Sequence, residues 1–278
     1  MKPAVPEGAY VDIGDGLKVH YHSDGPADGP PVLFLHGSGP GASGWSNFRR
    51  NYPVFAKAGL RTIVPDTLGF GYSSKPDNVD YTMDFVVGAL RRFLDALGIE
   101  RCVVVGNSHG GAMAIQLALT EPQRVSKLVL MAPGGLEERE VYMKMAGIRA
   151  MMKAFLNPDG MTRESLRGVF ALQLFDQSLV TDEILDERLQ IAVLQPKRVL
   201  QSLQVPHLAP SLEKLTCPIF ALWGTNDQFC PWSGAVHIAK ACKNTRVLTL
   251  SECGHWVMVE KAELFNKLCV EFIQEPSA

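Results

Sequence analysis

Three residues far apart in this chain could together attack a carbonyl carbon: Ser108, Asp227 and His255. Ser108 lies in Gly106-Asn107-Ser108-His109-Gly110, directly after the apolar run Cys102-Val103-Val104-Val105 and directly before Ala112-Met113-Ala114-Ile115. A G-x-S-x-G pentapeptide between a strand and a helix is a nucleophile elbow. Its glycines keep Cβ atoms out of a turn that strains the serine backbone. The hydroxyl is thereby lifted above the sheet edge, beside helix N–H groups that can face a developing oxyanion. A serine hydroxyl is a weak nucleophile until a base takes its proton, and the base needs a third group to orient it. Asp227 follows an apolar run in Ala221-Leu222-Trp223-Gly224-Thr225-Asn226-Asp227, and His255 follows another in Leu250-Ser251-Glu252-Cys253-Gly254-His255-Trp256. Serine, acid and histidine in that chain order are what such an elbow requires. His20 and His22 fall on an early strand, and His207 and His237 on surface segments, so nothing competes with His255.

An oxyanion also needs two fixed N–H donors. One is expected at His109, directly after the nucleophile, and the other at Ser38, in the loop His36-Gly37-Ser38-Gly39-Pro40-Gly41 after the third strand. The same loop holds a different pattern, since Gly39-Pro40-Gly41-Ala42-Ser43-Gly44 reads G-x-G-x-x-G with Asp66 downstream, as in dinucleotide sites. Its place on the third strand and the preceding His36-Gly37 argue against that reading, and Asp66 is expected to be structural. Cys253 and His255 suggest half a metal site, but no second pair completes it, so no metal and no cofactor are expected.

The elements that must hold these residues alternate short apolar runs with longer amphipathic ones, the pattern of an α/β protein with a mainly parallel sheet. Strands are predicted at 17–22, 31–35, 61–65, 101–105, 127–131, 218–223 and 246–250, with helices at 85–97, 112–119 and 262–272. Between about Gly135 and Pro210 the alternation stops. Helical patterns over 138–155, 162–175 and 181–194, with no convincing strand, read as an insertion over the C-terminal edge of the sheet. Five methionines fall there (Met143, Met145, Met151, Met152 and Met161), either as packing residues or as the flexible lining of an apolar pocket. The domain reading is a core of 1–135 and 211–278 with a helical lid at 136–210.

Composition limits the partners. A formal charge of −2 over 278 residues leaves no electrostatic footprint for nucleic acid or an anionic membrane. No apolar run approaches the ~20 residues of a membrane span, and residues 1–8 carry no signal-peptide pattern. Six scattered cysteines without a C-x-x-C pair fit a reducing cytoplasm.

These residues resemble the α/β-hydrolase superfamily over essentially the whole chain. More narrowly they resemble the meta-cleavage product hydrolases, the carbon–carbon bond hydrolases of bacterial aromatic catabolism. The segments that carry the likeness are His36–Phe48, Gly69-Phe70-Gly71-Tyr72-Ser73, Gly106-Asn107-Ser108, Leu130–Gly135, Phe175-Asp176-Gln177-Ser178-Leu179 and Cys253-Gly254-His255-Trp256. The resemblance implies a mostly parallel eight-stranded sheet flanked by helices, with the lid inserted after the sixth strand. It implies substrates of the 2-hydroxy-6-oxohexa-2,4-dienoate type, cleaved to 2-hydroxypenta-2,4-dienoate and a carboxylic acid. By the same likeness Arg188 grips the substrate's carboxylate and 2-oxygen, where it would otherwise be a solvated helix residue. Asn47 and Asn107 would bond the dienoate, where they could otherwise be a helix cap and a turn residue. Trp256 and Phe175 would line the pocket, where they could otherwise be core packing. A homodimer or larger assembly is implied as well.

Two features depart from that pattern. Position 109, usually methionine or phenylalanine, is histidine, and Val257-Met258-Val259-Glu260-Lys261 lacks the Gln-Trp-Glu-His run common in the family. Ser-His-Gly-Gly elbows resemble those of cofactor-independent dioxygenases of the same fold. That activity, and a carboxylesterase on small or aromatic esters, stand as the alternatives.

Overall fold

The computed structural model describes residues 7–157 and 160–276. Eight strands form one sheet: β1 (Ala9–Asp12), β2 (Lys18–Asp24), β3 (Pro31–Leu35), β4 (Arg61–Pro65), β5 (Cys102–Asn107), β6 (Val125–Met131), β7 (Ile219–Gly224) and β8 (Thr245–Leu250). Their order is β1-β2-β4-β3-β5-β6-β7-β8, with β2 antiparallel to both its neighbours and every later pairing parallel. The helices are α1 (Gly44–Phe48), α2 (Tyr52–Lys57), α3 (Met83–Ala96), α4 (His109–Thr120), α5 (Arg139–Lys144), α6 (Ala146–Phe155), α7 (Arg163–Gln173), α8 (Asp182–Ala192), α9 (Lys197–Ser202), α10 (Ser233–Ala241), α11 (Val257–Glu260) and α12 (Ala262–Gln274).

Strands β3 to β7 are buried on both faces, which is why they read as largely apolar runs, while the edge strand β8 is only partly covered. Side chains alternate across the sheet. Leu33, Leu35, Val104, Ala221 and Trp223 join α3, α4 and α10 in one core. Val32, Phe34, Val103, Val105, Phe220 and Leu222 join α1, α2 and α12 in the other. The strand missing from the sequence reading is β1, a four-residue edge strand, Ala-Tyr-Val-Asp, too polar and too exposed to show a pattern.

Helices α5 to α9 all fall between β6 and β7, where the helical insertion was expected. The single helix predicted over 138–155 is broken at Met145, whose backbone is extended. The break lets the Gly147 N–H donate to Gln228 O at 2.8 Å. A tertiary contact thus overrides a continuous helical pattern. Leu166, Val169 and Phe170 of α7 and Leu185 of α8 extend the second core beyond the sheet edge.

Asp66 is structural, as expected. Its carboxylate accepts from Gly44 N–H at 2.7 Å and Tyr72 N–H at 2.8 Å and pairs with His20 Nδ1 at 2.9 Å. Burial pushes its pKa up, but the bond and charge of His20, the charge of His36 and the Tyr72 N–H together hold it below the usual carboxylate range. It therefore fastens the segment after β4 to the start of α1. The G-x-G-x-x-G glycines serve packing too. Gly41 has φ +63, and a Cβ there would sit 2.0 Å from Arg188 O, so the loop closes directly on the backbone of α8.

Candidate active site

Ser108 sits between β5 and α4 with φ 56 and ψ −117, the strained geometry of an elbow. Its backbone is held on both sides. Ser108 N–H donates to Met131 O at 3.0 Å, and Ser108 O accepts from Ala112 N–H and Gly134 N–H, both at 3.0 Å. The turn must pass close to β3: a Cβ on Gly110 would lie 2.1 Å from Leu35 O. Only glycine fits there.

β7 ends at Gly224 and delivers Asp227; β8 ends at Leu250 and delivers His255. Both side chains are buried. Asp227 Oδ1 accepts from the N–H groups of Phe229 and Cys230 at 2.7 and 2.9 Å. Its Oδ2 lies 2.7 Å from His255 Nδ1. An ionised carboxylate only accepts, so Nδ1 carries the proton and Nε2 is left as the base. Phe229 stacks on the imidazole, ring centroids 5.1 Å apart. The loop of His255 is fixed from outside as well, by His255 N–H to Gln173 O at 2.8 Å and Gly254 N–H to Glu260 Oε1 at 2.6 Å.

Ser108 and His255 share the wall of a cavity of about 420 Å³, its open mouth included. Gly37, Ser38 and Gly39 line one side of it, with Asn47, Asn107 and Arg188 supplying polar groups. Ala42, Ile148, Met151, Phe229 and Trp256 supply apolar surface, and Gln173 completes the wall. A Cβ on Gly37 would be 3.3 Å from Ser108 Cβ, so the loop that carries Ser38 faces the nucleophile. His36 fixes that loop. Thr67 N–H donates to its Nε2 at 3.0 Å, which leaves the Nδ1 proton to donate to Gly37 O at 2.7 Å. His109 opens α4, where backbone N–H groups have no intrahelical acceptor. The two expected oxyanion donors thus belong to segments that meet at Ser108.

Arg188 is the most unusual group. It is 1% exposed, and burial brings its pKa down to about 10, so it remains a cation at neutral pH. Its Nη2 donates to Asn47 Oδ1 at 2.7 Å, and its guanidinium lies over the rings of Trp256 (4.9 Å) and Phe170 (5.5 Å). Glu187 beside it pairs with Arg49 instead. Arg188 Nη1 has no hydrogen-bond partner. Asn107 donates to Met131 O at 3.2 Å and His255 O at 3.3 Å, leaving its Oδ1 without a partner.

Phe175 does not belong to the site. α7 ends at Gln173, and Glu260 Oε2 accepts from the N–H groups of Phe175 at 2.7 Å and Asp176 at 3.1 Å. That capture ties the main chain inward and leaves the Phe175 ring 47% exposed. Gln173, two residues earlier, lines the cavity instead. Of the five insertion methionines only Met151 lines the cavity, while Met143 and Met152 are exposed.

The ring of His109 turns into the protein, is 3% exposed, and is not part of the cavity wall. Burial, and to a lesser degree His36, push its pKa down to about 4. It stays neutral in the folded chain while the unfolded chain binds a proton below its ordinary value near 6.5. Stability therefore falls as pH drops from about 6.5 to 4. Replacing His109 with methionine is expected to flatten that stretch by up to about 3 kcal/mol, read from urea unfolding at stepped pH. An unchanged slope would refute this source for it.

With this geometry in place, the chain belongs to the alpha/beta hydrolase fold family, whose sequence profile matches residues 30–262. Within that fold it is one of the meta-cleavage product hydrolases. It is 37% identical over 278 residues to 2-hydroxy-6-oxo-6-phenylhexa-2,4-dienoate hydrolase of Comamonas testosteroni, with 95% of this chain and 93% of the relative covered. It is 36% identical over 276 residues to 2-hydroxy-6-oxononadienedioate/2-hydroxy-6-oxononatrienedioate hydrolase of Paraburkholderia phymatum, with 95% and 94% covered. The solved structure of a meta-cleavage product hydrolase from Pseudomonas fluorescens IP01 superposes with a TM-score of 0.84 at 29% identity, with 96% of this chain and 97% of that one covered.

Proposed function

We propose that this chain hydrolyses the bond between C5 and C6 of 2-hydroxy-6-oxohexa-2,4-dienoates, without a cofactor. The observation that carries the reading is Arg188 Nη1, a buried donor on a cation with no partner, in the same cavity wall as Ser108 and His255. Leaving such a group unpaired is costly, and a carboxylate with a neighbouring oxygen suits its planar fork. A simple ester has no use for it.

The dienol is first ketonised, because a carbon leaving group needs an adjacent electron sink. Ser108 Oγ then attacks the C6 ketone as His255 Nε2 takes its proton, and Asp227 steadies the imidazolium. The N–H groups of His109 and Ser38 receive the oxyanion. Cleavage releases 2-hydroxypenta-2,4-dienoate and leaves an acyl group on Ser108, which water activated by His255 removes as a carboxylic acid. Arg188 and Asn47 hold the dienoate, with Asn107 and Trp256 beside it. Helices α5 to α9 act as the lid, residues 136–210, over the core of 1–135 and 211–278. Ile148, Met151 and Phe229 favour an apolar group on C6. Six free cysteines suit a cytoplasmic enzyme, here read as a homodimer or larger.

Among the described residues no helix is long and apolar enough to cross a membrane. The test is direct. Purified protein is expected to bleach the yellow ring-fission product of a catechol within seconds to minutes. Turnover of p-nitrophenyl esters without bleaching of phenyl, methyl or hydrogen-substituted dienoates would replace this reading with the esterase one.

A further inference from the structure

Besides Arg188 Nη1 and Asn107 Oδ1, both placed beside the dienoate, the cavity wall contains a buried acceptor that the chemistry above leaves unused. Gln173 is 5% exposed, lines the cavity with Ser108 and His255, and its Oε1 has no hydrogen-bond partner. The same residue accepts the His255 N–H on its main-chain oxygen at 2.8 Å. Gln173 is thus tied to the catalytic base through its backbone and carries an unpaired, buried carbonyl in the helical layer that borders the cavity. On α7 it occupies the inward stripe of Leu166, Val169 and Phe170, where an apolar residue would pack at no desolvation cost.

An unpaired carbonyl oxygen needs a donor. The substrate skeleton supplies one hydroxyl, on C2, and that lies with the carboxylate at Arg188. Carbons 3 to 6 of the substrate bring none. The only other donor that enters the reaction is the water that removes the acyl group. We infer that Gln173 Oε1 positions this hydrolytic water against His255 Nε2 in the acyl-enzyme, an inference that deepens the second half of the proposed reaction and rests on it for the dienoate.

In that step a lone pair of the water oxygen forms the bond to the acyl carbon. One water proton passes to His255 Nε2, and the other stays on the new hydroxyl, bonded to Gln173 Oε1. Collapse of the tetrahedral intermediate breaks the bond to Ser108 Oγ, which recovers its electron pair and takes the proton back from His255. The carboxylic acid leaves and the enzyme is restored. Holding one water at the attack angle is the kind of positioning whose loss costs about tenfold or more in rate.

The experiment uses p-nitrophenyl acetate and the dienoate side by side, on the wild-type chain and on Gln173→Leu and Gln173→Met, the latter matching the side chain in length. Loss of the water's anchor slows deacylation alone. The variants are expected to release about one equivalent of nitrophenolate in a burst and then turn over at least tenfold more slowly than wild type. Because kcat/KM reports only the steps through acylation, kcat and KM should fall together with their ratio unchanged, and intact-mass measurement should find the acyl adduct. Deacylation within about twofold of wild type in both variants would overturn the inference. So would a fall in kcat/KM without a burst, which marks a substrate contact or a packing defect. The ester arm involves no dienoate, so it stands or fails independently of whether the chain bleaches the ring-fission product.

Discussion

Replacing Ser108 with alanine is expected to lower kcat for the dienoate by about 10⁵-fold, with binding preserved and stability nearly unchanged. The loss is large because the triad acts as a unit: without Oγ, the Asp227–His255 pair has no proton to move and no acyl-enzyme can form. Stability is insensitive because the strain at this position belongs to the backbone. Ser108 has φ 56, and alanine carries the same Cβ into the same region, so the penalty stays in place. The backbone bonds to Met131, Ala112 and Gly134 are untouched. Rapid mixing with the yellow substrate reads both quantities, through slow residual bleaching and a retained bound spectrum, and thermal unfolding supplies the third. Residual turnover above about a hundredth of wild type would mean that another group attacks C6, and the elbow assignment would fall.

The elbow and its partners were legible because their chemistry forces local sequence. Glycine is needed at position 110 by a 2.1 Å approach to Leu35 O, and the serine must follow a buried strand. Asp227 and His255 could be found from chain order and the ends of two apolar runs. Arg188 and Asn47 were different. Nothing in the pattern of α8 says that one arginine turns inward while its neighbour Glu187 is also buried, held by Arg49, and only the family resemblance pointed there.

The failures share a cause, which is contact between segments remote in sequence. Phe175 faces solvent because Glu260, 85 residues away, captures its N–H. The helix over 138–155 breaks because Gly147 reaches Gln228. Gln173 left a faint signal, a polar residue one turn beyond Phe170 on an apolar stripe, but whether such a residue meets water, a partner or a cavity is decided by the sheet edge beneath it. The position of His109 directly after the nucleophile singles out its ring, yet the imidazole is buried near His36 and forms no part of the cavity wall.

Replacing Arg188 with methionine is expected to separate function from stability in the opposite sense to a core mutation. The guanidinium is 1% exposed and has no carboxylate of its own: one amide oxygen and two aromatic rings are what it faces before substrate arrives. A buried cation so poorly compensated costs several kcal/mol of desolvation, and buried charges replaced by apolar groups of similar volume are often neutral or stabilising by about 1 to 4 kcal/mol. Against this, Asn47 Oδ1 loses its donor, a penalty of about 1 to 3 kcal/mol. The balance predicts a melting temperature unchanged or raised by a few °C. Cleavage of the dienoate should nevertheless fall about 10³-fold in kcat/KM, the scale for losing one partner of a buried, hydrogen-bonded charge pair. Turnover of p-nitrophenyl acetate, which offers no carboxylate to hold, should stay within a few-fold of wild type. Calorimetry and the two assays decide the matter together. A destabilised variant with equal losses on both substrates would make Arg188 a structural residue, and the cavity would then be that of a plain esterase. Under the proposed function, a cation kept buried at a cost in stability and needed only when a dienoate is present is a binding site held ready by the fold.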